Sequence, residues 1–167
     1  VAGGGLSAPT TMAFVAPDDI LVLEKDTAYV RRVLNGVVDP DPVLSLPANT
    51  DSERGALGIA VDTASPPHVF IYFTEAASYG APAIANRVYR YDWNPGTGTL
   101  ENPFLVLDLP VRPGGEHNGG VIFLGPPGEA PGVGDGSLLY AVIGDLDNFG
   151  QLQNVATGPA PDDSSVI

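Results

Sequence analysis

The sequence predicts an all-β fold built from repeated units of four antiparallel strands. Three observations carry that prediction. Gly and Pro number 21 and 17 among 167 residues and are spread along the whole length, as many short strands joined by turns require. No helical periodicity persists for as much as about ten residues. The same cycle of apolar runs recurs at a spacing of roughly 45–60 residues, which marks a β-propeller blade. About two and a half such blades fit in the chain.

The bulk numbers set the class. Hydrophobic residues make up 44% and charged residues 16%, which excludes a disordered chain and leaves enough apolar material for one domain. Acids outnumber bases 20 to 7, for a formal charge of -13. Such a surface repels phosphate backbones, so nucleic acid is excluded as a partner. The only lysine is Lys25, and there are six arginines. Cysteine is absent, which removes disulfides, thiolate metal sites and a thiol nucleophile. No run reaches the ~18 apolar residues of a membrane helix.

Residues 1–11 read as a small, polar lead-in. The first blade spans 12–47. Met12-Ala13-Phe14-Val15 is its inner run, followed by Ile20–Lys25 and Ala28–Leu34. The pair Asn35-Gly36 closes the third run with a strong turn signal. The fourth run, Pro42–Pro47, is bracketed by prolines and suits an edge strand, where a missing N–H is tolerated. The second blade spans 56–110. Ala56–Val61 is its inner run and Val69–Thr74 its buried one. Asn86–Trp93 alternates, so one face is polar. Asn94-Pro95-Gly96-Thr97-Gly98 turns the chain into Phe104–Pro110. A third, incomplete blade covers 119–167. Its first two runs are Val121–Leu124 and Leu138–Ile143, separated by the long insertion Pro127–Gly136. The inner runs are built from small or aliphatic residues, as convergence on a central channel demands. Two and a half blades cannot close a ring, and their flanking faces need further blades to cover them. The chain starts at Val1, as a signal-cleaved or cut chain would. It ends in Ser164-Ser165-Val166-Ile167, which reads like a strand just starting. It is expected to be part of a longer protein.

The chemistry gathers at Gly114-Gly115-Glu116-His117-Asn118-Gly119-Gly120. This glycine-flanked histidine opens into the third blade, and the next strand ends in Gly144-Asp145. Adjacent antiparallel strands bring His117 and Asp145 toward one end of a sheet. A base and the carboxylate that orients it form a recurring catalytic pairing. The blander readings are a turn histidine and a strand-ending Gly-Asp turn. His68, after two prolines, reads as structural, and Glu53-Arg54 as a local ion pair on a loop. Trp93 reads as a hairpin anchor. Asp145-Leu146-Asp147-Asn148-Phe149-Gly150 is a poor calcium loop, because Phe149 stands where an oxygen ligand belongs.

Three segments in order carry a resemblance. They are Pro9–Phe14 with Ile20–Lys25; Glu53–Asp62 with Ile71–Thr74 and Asn86–Tyr91; and His117–Gly120 with Phe123–Pro126, Leu139-Tyr140 and Ile143–Asp145. Together they resemble the glucose/sorbosone dehydrogenase family, which contains soluble quinoprotein glucose and aldose sugar dehydrogenases. The resemblance implies a six-bladed propeller with pyrroloquinoline quinone (PQQ) and calcium at the channel mouth. It implies oxidation of an aldose at C1 to the lactone, with His117 as general base and Asp145 on its other ring nitrogen. Glu53, Gln151 and Asn118 would lie on the cofactor side. The calcium ligands and most cofactor-binding cations would lie outside this chain, so these residues alone should not bind the cofactor. The implied partners are a sugar, an electron acceptor such as a cytochrome or quinone, and the remaining blades. The implied location is secreted or periplasmic. Val121 departs from the family, where many members have a basic residue. The alternative reading is a non-catalytic propeller serving as a binding module, as in hedgehog-interacting relatives.

Overall fold

A computed structural model describes residues 5–128 and 137–146. It contains β1 (Pro9–Ala16), β2 (Asp19–Glu24), β3 (Tyr29–Leu34), β4 (Val37–Val38) and β5 (Leu44–Ser45). Then come β6 (Ala56–Val61), β7 (His68–Ala76), β8 (Ala83–Asn94), β9 (Thr99–Leu109), β10 (Ile122–Leu124) and β11 (Leu139–Ala141). There is no helix among the described residues. Three antiparallel sheets result: β1-β2-β3-β4 with β5 also on β3, β6-β7-β8-β9, and β10-β11. This is part of a β-propeller.

Alternation along the strands explains how the sheets stack. Successive residues of a strand point to opposite faces. On β7, Val69, Ile71 and Phe73 face one way and join Leu21, Leu23 and Val30 of the first sheet in one core. Tyr72 faces the other way and joins Val88 and Ile122 in a second core toward β10. The middle sheet is therefore apolar on both faces, and each core is a seam between neighbouring blades. The inner strands touch in sequence, β1 against β6 and β6 against β10.

The turn chemistry is visible in the dihedrals. Asn35 and Gly36 both have positive φ, 52° and 78°, as a two-residue hairpin turn between β3 and β4 requires. Trp93 is buried and lies under the Arg32 guanidinium at 5.2 Å. Arg32 is in turn held by both carboxylate oxygens of Asp19 at 2.8 and 2.7 Å. The Trp93 side chain thus anchors one blade to the next, beyond its own hairpin.

The strands depart from the expected boundaries in several places, three of which have a clear physical cause. β1 begins at Pro9, inside the expected lead-in, because proline is tolerated at the first position of a strand. Thr10 Oγ1 also ties that end to Ala56 O at 3.1 Å. Ahead of the expected fourth run lies an additional short strand, β4, and of the run itself only Leu44-Ser45 forms a strand, β5; both pair with β3, and Pro40 and Pro42 between them cannot donate to a ladder. β9 starts at Thr99 and runs through Pro103, which an edge strand with a register shift accommodates.

Candidate active site

The segment before β10 is built from alternating left-handed residues. Gly115, His117, Gly119 and Gly120 have φ of 83°, 53°, 75° and 118°. Glycine adopts this region freely; for His117 it costs about 1–2 kcal/mol, so the surroundings must hold it there. They do so through the backbone. Gly120 N donates to Val142 O at 2.9 Å, and Leu146 N donates to His117 O at 3.3 Å. The two glycines cannot be replaced cheaply. A Cβ on Gly119 would lie 2.3 Å from Val142 O, and one on Gly120 would lie 2.5 Å from Leu57 Cβ.

This packing sets the imidazole against the end of the neighbouring strand. His117 Nδ1 is 2.6 Å from Asp145 Oδ1. A carboxylate accepts, so Nδ1 carries the hydrogen; in the neutral ring the lone pair is then on Nε2. The His117 side chain is 53% exposed and that of Asp145 27%. The imidazole is therefore oriented by the protein and half exposed.

Glu53 also reaches this loop. Its Oε2 accepts the His117 backbone N–H at 2.6 Å, and its own N–H donates to Gly115 O at 3.2 Å. The local Glu53–Arg54 ion pair suggested by the sequence does not form. Arg54 turns inward, is buried, and donates from Nη2 to Arg112 O and from Nη1 to Asn49 Oδ1. One backbone carbonyl and a side-chain amide are better placed around it than the exposed carboxylate next door.

Asn118 is drawn into the interior. It is buried, with Nδ2 donating to Gly115 O at 2.8 Å and Oδ1 accepting from Asn86 Nδ2 at 3.2 Å. Its side chain thus supports the loop. Gln151 lies outside the described residues, as do Asp147 and Phe149 of the weak calcium motif. Among the described residues no group of three His, Asp or Glu is placed to hold a metal. His68, half-buried, sits on Asp62 at 2.6 Å in the β6–β7 connection, and its Nε2 lies 3.7 Å from Asp92.

Sequence reading missed a buried polar chain beneath the loop. Thr74 Oγ1 donates to Asn86 Oδ1 at 2.7 Å, and Asn86 Nδ2 donates to Pro110 O and to Asn118 Oδ1. Tyr72, fully buried, donates its hydroxyl to Asn118 O at 2.8 Å. Burial pushes the Tyr72 phenol well above its ordinary value, so it remains a donor. The only signal in the sequence was a Thr and an Asn inside otherwise apolar runs. Their meeting depends on the β7–β8 register, which pairs Thr74 with Asn86.

A quinone bearing carboxylates can be tested against these residues. An oriented, exposed imidazole suits the proton-accepting side of such a site. Glu53 and Asp145 are acidic, and Arg54 is committed to internal carbonyl groups. The positive charge that cofactor carboxylates need is not supplied by this cluster.

No family model matches the chain, and no curated protein matches it. Solved structures do. A protein assigned as an oxidoreductase (glucose dehydrogenase) from Thermus thermophilus has a TM-score of 0.70 and 28% identity, over 87% of this chain and 40% of its own. The PQQ-bound form of an aldose sugar dehydrogenase from Streptomyces coelicolor has a TM-score of 0.64 and 32% identity, over 86% and 40%. A further glucose dehydrogenase, at 20% identity and a TM-score of 0.65, supports the fold alone. The chain spans about two fifths of the length of these structures.

Proposed function

We propose, on the premise that this chain is similar over most of its length to the glucose and aldose sugar dehydrogenases, that the whole protein oxidises an aldose at C1. The observation that carries the reading is the 2.6 Å contact between His117 Nδ1 and Asp145 on an exposed, glycine-shaped loop. With Nδ1–H donated to Asp145, Nε2 accepts the proton of the anomeric hydroxyl. Asp145 then faces an imidazolium and stabilises the charge as it forms. PQQ, when bound, supplies the acceptor for the C1 hydride. The lactone results from loss of that proton and hydride. In this reading Gln151 lies on the cofactor side. Calcium and the cations that hold PQQ come from blades beyond this chain, as does the docking site for an electron acceptor. The same reading puts the protein outside the cytoplasm, where cell fractionation would find it.

The test uses full-length protein reconstituted with PQQ and calcium. Aldoses should then reduce a redox dye, and His117→Ala should lower kcat by about 10²–10⁴-fold, the range of general-base catalysis. Dye reduction unaffected by that substitution would remove His117 from the chemistry. No spectral change on adding PQQ to the wild-type protein would favour the non-catalytic binding propeller.

A further inference from the structure

The geometry points to Glu53 as a positioning residue that sets His117 from the neighbouring blade. This goes beyond the reading of His117 as the base, and rests on it. Glu53 lies just ahead of β6, on the second blade, whereas His117 leads into the third. Their contact crosses the seam between blades. The Glu53 carboxylate accepts the His117 N–H at 2.6 Å, while Glu53 N–H donates to Gly115 O at 3.2 Å. Next to it, Arg54 takes Arg112 O, and Gly115 rests on the Arg54 guanidinium; a Cβ there would be 3.5 Å from Cζ. One dipeptide thus grips residues 112, 115 and 117. His117 is held at two ends by two carboxylates, its amide by Glu53 and its ring by Asp145.

Two further facts separate this role from general packing and from cofactor contact. Glu53 is exposed, so burial gives it no reason to be there. And His117 has a left-handed φ of 53°, which needs an external restraint on that amide. Glu53 Oε2 is directed at the backbone and supplies that restraint. What the amide needs first is an acceptor at that reach; the carboxylate's charge adds to the strength of the bond.

The experiment uses full-length protein labelled with ¹⁵N-histidine. In Glu53→Ala, hydrogen exchange of the His117 amide should accelerate at least about tenfold, with an unchanged melting temperature. Glu53→Gln, which keeps an acceptor at the same reach, should stay within about threefold of wild type. Glu53→Asp, one methylene shorter, should behave like Glu53→Ala. In the PQQ-reconstituted protein, Glu53→Ala should lower kcat roughly 10- to 100-fold with little change in KM, and Gln should restore it. PQQ affinity, read by spectral titration, should not move. Unchanged amide exchange in Glu53→Ala overturns the inference. So does weakened PQQ binding with the amide undisturbed, which would make Glu53 a cofactor contact. If the exchange result holds but the wild-type protein oxidises no aldose, the clamp stands and the assignment of His117 as base falls.

Discussion

Replacing Gly144 by alanine tests how tightly the His117 loop is locked to the chain that follows β11. A Cβ on Gly144 would sit 2.0 Å from His117 O and 2.7 Å from its carbonyl carbon. Ordinary contact begins near 3.4 Å, so one backbone must retreat by roughly 1.4 Å, although both segments are fastened there by backbone hydrogen bonds. Neither side has a flexible side chain that could yield. The movement falls on the two residues whose contact orients the ring, since Asp145 follows Gly144 directly. A contact of 2.6 Å does not survive that displacement. Overpacking of this kind costs about 1–3 kcal/mol, and a misplacement of about 1 Å at a reacting group costs roughly 10²-fold in rate. The assay is paired: denaturant unfolding for stability, and dye-linked aldose oxidation by the PQQ-loaded protein for kcat. Gly36→Ala is the control. Its φ is 78° and nothing lies within 4 Å of the added methyl, so it should cost about 1–2 kcal/mol of backbone strain and no activity. A Gly144→Ala protein with wild-type stability and kcat within twofold would refute the close approach on which the site's geometry rests.

Asp145→Asn keeps the shape of the orienting residue and removes its charge. A hydrogen bond to a charged group is worth about 1.5–3 kcal/mol, and partial exposure argues for the low end. The expected result is kcat about tenfold lower with KM little changed; an unaltered kcat would show that Asp145 does not support the imidazolium. Stability at alkaline pH offers a test independent of activity. Burial raises the phenols of Tyr72 and Tyr91 well above their ordinary range. The folded state therefore holds protons that the unfolded state releases above about pH 10. Stability is intact below that pH and declines as pH rises beyond it, by about 2.7 kcal/mol per pH unit for the two groups together. Tyr72→Phe and Tyr91→Phe should each lower the slope measured by urea unfolding between about pH 10.5 and 11.5 by up to about 1.4 kcal/mol per pH unit, the rest coming from other raised phenols such as Tyr89. An unchanged slope in both would show that neither phenol stays protonated in the fold.

Much of the fold was legible because its signals are local. Runs of four to nine apolar residues, separated by Asn-Gly, Asp-Thr or proline-bearing turns, mark strands one at a time, and their recurrence marks the blades. The proximity of His117 and Asp145 was legible too, because the end of a strand and the entry to its neighbour are adjacent in any antiparallel pair. Local signals fail where register or packing decides. Thr74 meets Asn86 only through the β7–β8 pairing, and Asn86 meets Asn118 only because the second and third blades pack face to face. Asn118 beside a histidine looks like a ligand-facing amide until that packing turns it inward. Glu53 and Arg54, neighbours of opposite charge, looked like a pair. The blade seam sends them to different partners. The proline-bracketed run of the first blade shows the converse: its composition reads as an edge, and within it only Leu44-Ser45 forms a strand, paired with β3.

The turn between β8 and β9 now has a practical meaning. Pro95, Gly96 and Thr97 are exposed, and their fastening is local: Asn94 Oδ1 accepts the N–H groups of Gly96 and Thr97. This hairpin lies on the same blade as Glu53, yet its fastenings are separate from those of the 112–117 segment. A reporter domain spliced between Gly96 and Thr97 would hang from the rim and leave both carboxylate grips on His117 intact. The same splice between Arg112 and Gly115, in a loop no less polar, would cut the span that two residues of the adjacent blade hold taut. The protein therefore has a place to be opened and a place to be left whole, and sequence composition alone does not tell them apart.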